Sequence, residues 1–168
     1  DERDFITASV IGDKAMGKSS FLSLFAKHYL EKNEAEGKDR RILIHDPSEA
    51  HAFRQFEQIT VEELIYGVKL PVTGKRHYWR KGIRRITDET DDELVLKSIK
   101  GHMRNGLVIF DEARDWMGQN PKKWQQELFT KHRNLGLDLI FVFHNFMDIP
   151  ITLRPHIWMY ILFKTPEK

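Results

Sequence analysis

The stretch Gly12-Asp13-Lys14-Ala15-Met16-Gly17-Lys18-Ser19 limits the possible folds of this chain more than any other feature. Two glycines bracket four residues, and a lysine and a hydroxyl follow directly. Glycines let the backbone curl so that successive N–H groups point inward at an anion. A helix opening at the lysine directs its positive end at the same charge. The flanks supply that context. Phe5 to Ile11 (FITASVI) reads as a buried strand running into the turn, and from Ser19 to Lys32 the residues Phe21, Leu22, Phe25, Tyr29 and Leu30 recur at helical spacing. Strand, glycine loop and helix together read as a phosphate-binding loop for a nucleoside triphosphate such as ATP. In this reading Gly12, Asp13, Lys14, Ala15, Met16, Gly17, Lys18, Ser19 and Ser20 form the cradle. Lys18 reaches the β- and γ-phosphates, Ser19 gives a hydroxyl to Mg²⁺, and Ser20 touches the α-phosphate. Lys14 reads either as a further phosphate contact or as an exposed loop lysine.

Such a loop belongs between layers of a parallel sheet, and the rest of the chain fits. Arg41–His45 (RILIH) is a second strand, stopped by Asp46-Pro47. Asn33 to Asp39, polar and holding Gly37, is the loop before it. Ser48 to Gln58 is predicted as a short helix. Thr60-Val61-Glu62-Glu63 is a capping box opening another, closed by Gly67. Val68–Thr73 and Ile83–Thr87 are predicted strands, and Asp91–Arg104 a helix. Leu107–Phe110 is a strand running into Asp111-Glu112. Asn120-Pro121 is predicted to cap a helix reaching Arg133. Leu137–Phe143 and Ile157–Phe163 are the last strands. Strands alternating with helices predict an α/β fold of three layers, with a mostly parallel central sheet covered on both faces. At 168 residues, the expectation is a single domain spanning 1–168.

Composition removes several classes. No cysteine is present, which excludes disulfides, zinc–thiolate sites and thiol catalysis. The eight histidines are scattered, without an HxxxH or HxxH pair. Apolar runs are strand-sized and none approaches a membrane span. No signal peptide is visible at Asp1. A net charge of +2 does not by itself imply nucleic acid.

Chemistry enters with Leu107-Val108-Ile109-Phe110-Asp111-Glu112. A buried strand places Asp111 at its C-terminal edge beside the phosphate loop, able to hold Mg²⁺ together with Ser19. Glu112, one residue on, can orient and deprotonate the water that attacks the γ-phosphate. Two acids capping the following helix are the plainer alternative. His144-Asn145 ends the strand from Leu137. If that strand lies beside the two carrying the phosphate loop and the acidic pair, His144 faces the γ-phosphate as a sensor. Nucleotide hydrolysis in oligomeric motors also uses an arginine from a neighbouring subunit, and Arg84, Arg85, Arg133 and Arg154 are the candidates.

Lys75-Arg76-His77-Tyr78-Trp79-Arg80-Lys81-Gly82-Ile83-Arg84-Arg85 is the most basic stretch. It can track a DNA backbone, with Tyr78 and Trp79 stacking on bases, or it can be a solvated hairpin or subunit contact. Asp88-Glu89-Thr90-Asp91-Asp92-Glu93 follows as a candidate acidic partner.

Four segments carry a family resemblance: GDKAMGKSS, RILIHDPSE ending its strand at Asp46, GLVIFDEARDW, and KHRNLGLDLIFVFHNFMDIPITLRPHIWMYILFK. Together they resemble the FtsK–HerA superfamily of ring-forming ATPases, and within it the viral genome-packaging ATPases and the zonula occludens toxin-like phage proteins. The region from Val61 to Arg104 has no clear counterpart. The resemblance implies a RecA-like core in a homo-oligomeric ring, a hexamer, that couples ATP hydrolysis to DNA translocation. It makes Glu112 the base and His144 the sensor, where the family usually carries glutamine. It also implies a host-cytoplasmic or virion-associated protein with a capsid or portal-vertex partner. The short chain, lacking a guiding domain or membrane helix, favours a packaging motor. A phage assembly or secretion ATPase, a small nucleotide kinase and a slowly hydrolysing switch are the alternatives; Asp111-Glu112 and the missing arginine-rich lid speak against the kinase.

Overall fold

The uninterrupted apolar runs become the middle of one sheet. The computed structural model describes residues 5–87 and 91–164. In chain order it contains β1 (Thr7–Ile11), α1 (Lys18–Ala35), β2 (Arg41–His45), β3 (Glu57–Gln58), α2 (Val61–Tyr66), β4 (Val68–Lys69), β5 (Arg76–His77), β6 (Gly82–Ile86), α3 (Asp92–His102), β7 (Gly106–Phe110), α4 (Ala113–Met117), α5 (Lys123–Leu135), β8 (Leu137–Phe143) and β9 (Met159–Leu162). Seven strands form a sheet in the order β3-β6-β2-β7-β8-β1-β9. All its pairings are parallel. β4 and β5 form a separate antiparallel pair.

β1, β7 and β8 are buried at every position. A strand apolar on both faces is stable only between two layers, which is why these runs do not alternate. Ala8, Val10, Ile42, Ile44, Ile109 and Val142 pack under Leu22 and Ala26 of α1. On the other face Leu43, Val108, Phe110, Leu139 and Phe141 meet Leu96, Ile99, Leu128 and Phe129 from α3 and α5. Each fully buried side chain of this kind contributes about 1.5–3 kcal/mol. The strands approach closely at Gly106, where a Cβ would lie 2.0 Å from the Arg41 carbonyl oxygen.

Several sequence expectations are corrected here. Ser48–Gln58 is not a helix. It holds one 3-10 turn, His51–Phe53, and then β3. The Asp46 side chain captures the Ala50 N–H at 2.9 Å, and Glu49 adopts positive φ, so the segment bends before a helix can nucleate. β4 ends at Lys69, because Leu70 and Gly74 close a turn through the Gly74 N–H to Leu70 O bond of 2.9 Å. α5 opens at Lys123 with Lys122 as its cap, where the Gln125 side chain accepts the Lys122 N–H at 2.6 Å; Asn120-Pro121 lies outside. The capping box at Thr60 and Glu63 forms as read.

The acidic run does not serve the basic segment where it is described. Asp91 caps α3 by accepting the Leu94 N–H, and Glu93 pairs with Lys97 at 2.7 Å. Asp88, Glu89 and Thr90 lie outside the described residues.

Candidate nucleotide-binding site

The C-terminal edge of a parallel sheet is where its loops can gather around a ligand. β1 delivers Gly12 there. A Cβ on Gly12 would sit 2.7 Å from the Phe163 Cβ, so glycine is required by space. Gly17 is required by conformation, at φ 83°. Between them the loop turns through Ala15 at φ 63° and enters α1 at Lys18. The Lys18 ammonium folds back over the loop and donates to Gly12 O at 2.5 Å and Asp13 O at 2.7 Å. Burial lowers its pKa, and the charges of Glu112 and Asp111 oppose that shift.

β8 lies between β1 and β7, the condition on which the sensor reading depended. His144 therefore emerges between the phosphate loop and the acidic pair. Its Nε2 meets Glu112 Oε2 at 2.7 Å. Its Nδ1 is buried without a hydrogen-bond partner. Glu112 adopts φ 48°, ψ 44°, a left-handed conformation that costs a non-glycine residue about 1–3 kcal/mol. The kink aims its carboxylate into the site. Asp111 accepts the Glu112 N–H at 3.1 Å and is almost wholly buried. Burial, with the Glu112 and Asp46 charges beside it, pushes its carboxyl up to about 7.

A pocket of about 420 Å³ joins these parts, lined by residues 14–20 and by Asp111, Glu112 and His144. Its remaining wall is Ser48, Ala50, His51 and Ala52. Sequence reasoning missed that wall. Its one signal was Asp46-Pro47, which ends β2 at the correct edge. Asp46 holds the wall through Ala50 N–H and is itself paired with Arg85 Nη1 at 3.4 Å. Mg²⁺ suits this donor set. Asp13, Asp46, Asp111 and Glu112 outnumber Lys14, Lys18 and Arg85, and Asp111 is the carboxylate that a divalent cation would keep ionised. Among the described residues no three acids or histidines form a metal cage. An ion held by one hydroxyl, one carboxylate and substrate phosphates needs none.

The arginine candidates are spread out. Arg85 is committed to buried Asp46, and Arg84 pairs with Glu57 at 3.0 Å. Arg133 is exposed over the Trp158 ring, and Arg154 lies over Phe146. None of the four lines the pocket. Trp79, expected to stack on bases, is buried, whereas Tyr78 beside it is exposed.

A parallel sheet with a phosphate loop on one strand, an acidic pair two strands away and a polar residue between them is the fold of a P-loop NTPase. The family model for zonular occludens toxin (Zot) matches residues 59–165, and the chain belongs to that family. The match includes the region from Val61 to Arg104, whose own motifs carry no resemblance.

Three solved structures share the fold. The genome packaging NTPase B204 from Sulfolobus turreted icosahedral virus 2, in complex with ATP-gammaS, aligns with a TM-score of 0.64 at 18% identity, over 97% of this chain and 76% of that one. The N-terminal domain of zonular occludens toxin from Neisseria meningitidis gives 0.54 at 16% identity, over 92% and 74%. The cytoplasmic domain of EssC gives 0.55 at 15% identity, over 97% of this chain and 32% of that one. No curated protein matches the sequence. Among the described residues no helix is long and apolar enough to cross a membrane.

Proposed function

We propose that the chain hydrolyses ATP and uses the energy to move DNA, as a viral or phage genome-packaging motor. The observation that carries hydrolysis is the Glu112–His144 contact of 2.7 Å at the mouth of a pocket walled by the phosphate loop. Glu112 accepts a proton from the attacking water, whose oxygen bonds to the γ-phosphorus as the bond to the β-phosphate oxygen breaks. His144 holds the Glu112 carboxylate in line. Lys18 and the loop N–H groups bind the phosphates, and Ser20 contacts the α-phosphate. Ser19 and Asp111 are the residues for Mg²⁺, which supplies charge stabilisation on the transferring phosphoryl group. An arginine from a neighbouring subunit in a homo-oligomeric ring, a hexamer, completes the site. Of the four candidates, Arg133 and Arg154 carry no carboxylate partner in their own subunit among the described residues. The likeness of the sheet to a genome packaging NTPase supports the packaging reading. Such a motor works in the host cytoplasm at a capsid or portal vertex.

Family membership favours a second reading, in which the same ATPase drives phage assembly or secretion. The two share the hydrolytic step and differ in cargo. Phosphate release from ATP, with and without added DNA, separates them. A motor on DNA is stimulated severalfold. Hydrolysis indifferent to duplex and single-stranded DNA removes the packaging reading and leaves the assembly one, and phosphate transferred to a nucleoside instead of water removes both.

A further inference from the structure

At the N-terminal edge of the sheet, farthest from the phosphate loop, three arginines from distant parts of the sequence come together. Arg41 opens β2, Arg80 precedes β6 and Arg104 precedes β7, and these three strands are parallel neighbours. Their side chains share a cleft of about 380 Å³ with Asp39, Trp79 and Asn105. Trp79 forms its floor. The indole is 7% exposed, donates from Nε1 to Lys81 O at 2.6 Å, and has Arg41 and Arg84 each 5.7 Å from its ring. Arg41 Nη2 donates to His102 O at 2.9 Å and Arg104 O at 3.4 Å, which fixes its plane without cancelling its charge. Burial and the nearby Arg104 charge lower the Arg41 pKa.

Four other residues of the basic segment are balanced within the chain, whereas Lys75 has no carboxylate partner among the described residues. Arg76 pairs with Glu62, Lys81 with Glu34, Arg84 with Glu57 and Arg85 with Asp46. Arg41, Arg80 and Arg104 have no carboxylate within ion-pair distance among the described residues. Arg41, Arg80 and Arg104 are therefore a cluster of unbalanced positive charge that only the fold assembles. Guanidinium groups are planar forks matched to phosphate oxygens. Tyr78, two residues before Arg80, is exposed and offers a ring face on which a base can stack.

We propose that this cleft of Arg41, Arg80 and Arg104 binds the phosphodiester backbone of DNA at the sheet edge opposite the nucleotide site. The inference rests on the reading of DNA as the partner and assigns the contact to particular residues. The test is fluorescence anisotropy of the full chain with a labelled duplex and a labelled single strand across a chloride titration. Each lost phosphate contact lowers the slope of log affinity against log salt by about 1. Arg80→Ala is expected to lower it by about 1, and Arg80→Ala with Arg104→Ala by about 2, while hydrolysis without DNA is unchanged. Arg104 also donates to the Lys100 and Met103 carbonyls at the end of α3. Arg80→Glu avoids that and is expected to weaken DNA more than Arg80→Ala does. Arg76→Ala, which removes an internally paired charge, leaves the slope in place. If wild type binds DNA but neither Arg80 variant changes the slope, or Arg76→Ala changes it equally, the cleft is wrong and the DNA reading stands. If wild type binds neither form of DNA, both fall.

Discussion

β2 begins at Arg41, among guanidinium groups, and hands over to Asp46, among carboxylates. Its five residues span only about 17 Å. At the C-terminal edge Asp46, Asp111 and Glu112 face Lys18 and Arg85, and Asp111 is driven up to about 7. At the N-terminal edge three arginines face Asp39. Like charges gathered in a folded protein cost stability unless something of opposite sign relieves them. Each surplus suits the ligand proposed for it: a divalent cation with a nucleotide at one edge, a polyanion at the other. The acidic surplus is enclosed and costly, whereas the basic one opens to solvent and is screened.

The most severe way to break this comparison is Glu112→Gln. It keeps the shape of the site and removes the base, so ATP binding persists while hydrolysis falls about a thousandfold in single-turnover measurements. A rate close to wild type would remove Glu112 as the base. Asp111→Asn probes the acidic surplus through stability. A carboxyl raised from 3.8 to about 7 holds a proton in the folded chain that the unfolded chain has released. Wild-type stability therefore falls as pH rises through that window. In urea melts without nucleotide, Asp111→Asn is expected to be the more stable by about 3 kcal/mol near pH 8, with the gain vanishing near pH 4. A gain that does not depend on pH would show that no charge surplus exists. His144→Ala is the gentlest. Losing a hydrogen bond to a charged group lowers kcat about ten- to a hundredfold with KM for ATP retained. A matching rise in KM instead would make His144 a binding residue.

Legibility followed the range of the forces involved. β2 and β8 match their apolar runs residue for residue, because a continuous run between turn signals has one stable destination. The phosphate loop and the acidic pair were legible for a similar reason, each being a short segment with its own local geometry. Ser48 to Ala52 were not, since their path is set by the Asp46 side chain and by the pairing of β3 with β6, not by their own propensities. Trp79 was misread because its basic neighbours suggested exposure, while Arg41 and Arg84, one of them far away in sequence, cover it. The meeting of Arg41, Arg80 and Arg104 has no sequence signal at all. It exists only once β6, β2 and β7 stand side by side.

The place of β8 between β1 and β7 also bears on how the molecule comes into being. Among the described strands β1 comes first in the sequence, yet both its neighbours in the sheet, β8 and β9, come last. The bond from Ile6 N–H to Asp138 Oδ1 joins residues 132 positions apart. Closing so long a loop is slow, and it must wait until β8 has been made. β2, β6 and β7, by contrast, fall within a single stretch from residue 41 to residue 110 and can pair during synthesis. On the ribosome the loop from Gly12 to Ser19 thus emerges well before β8 and β9, the two strands that fix it in the sheet.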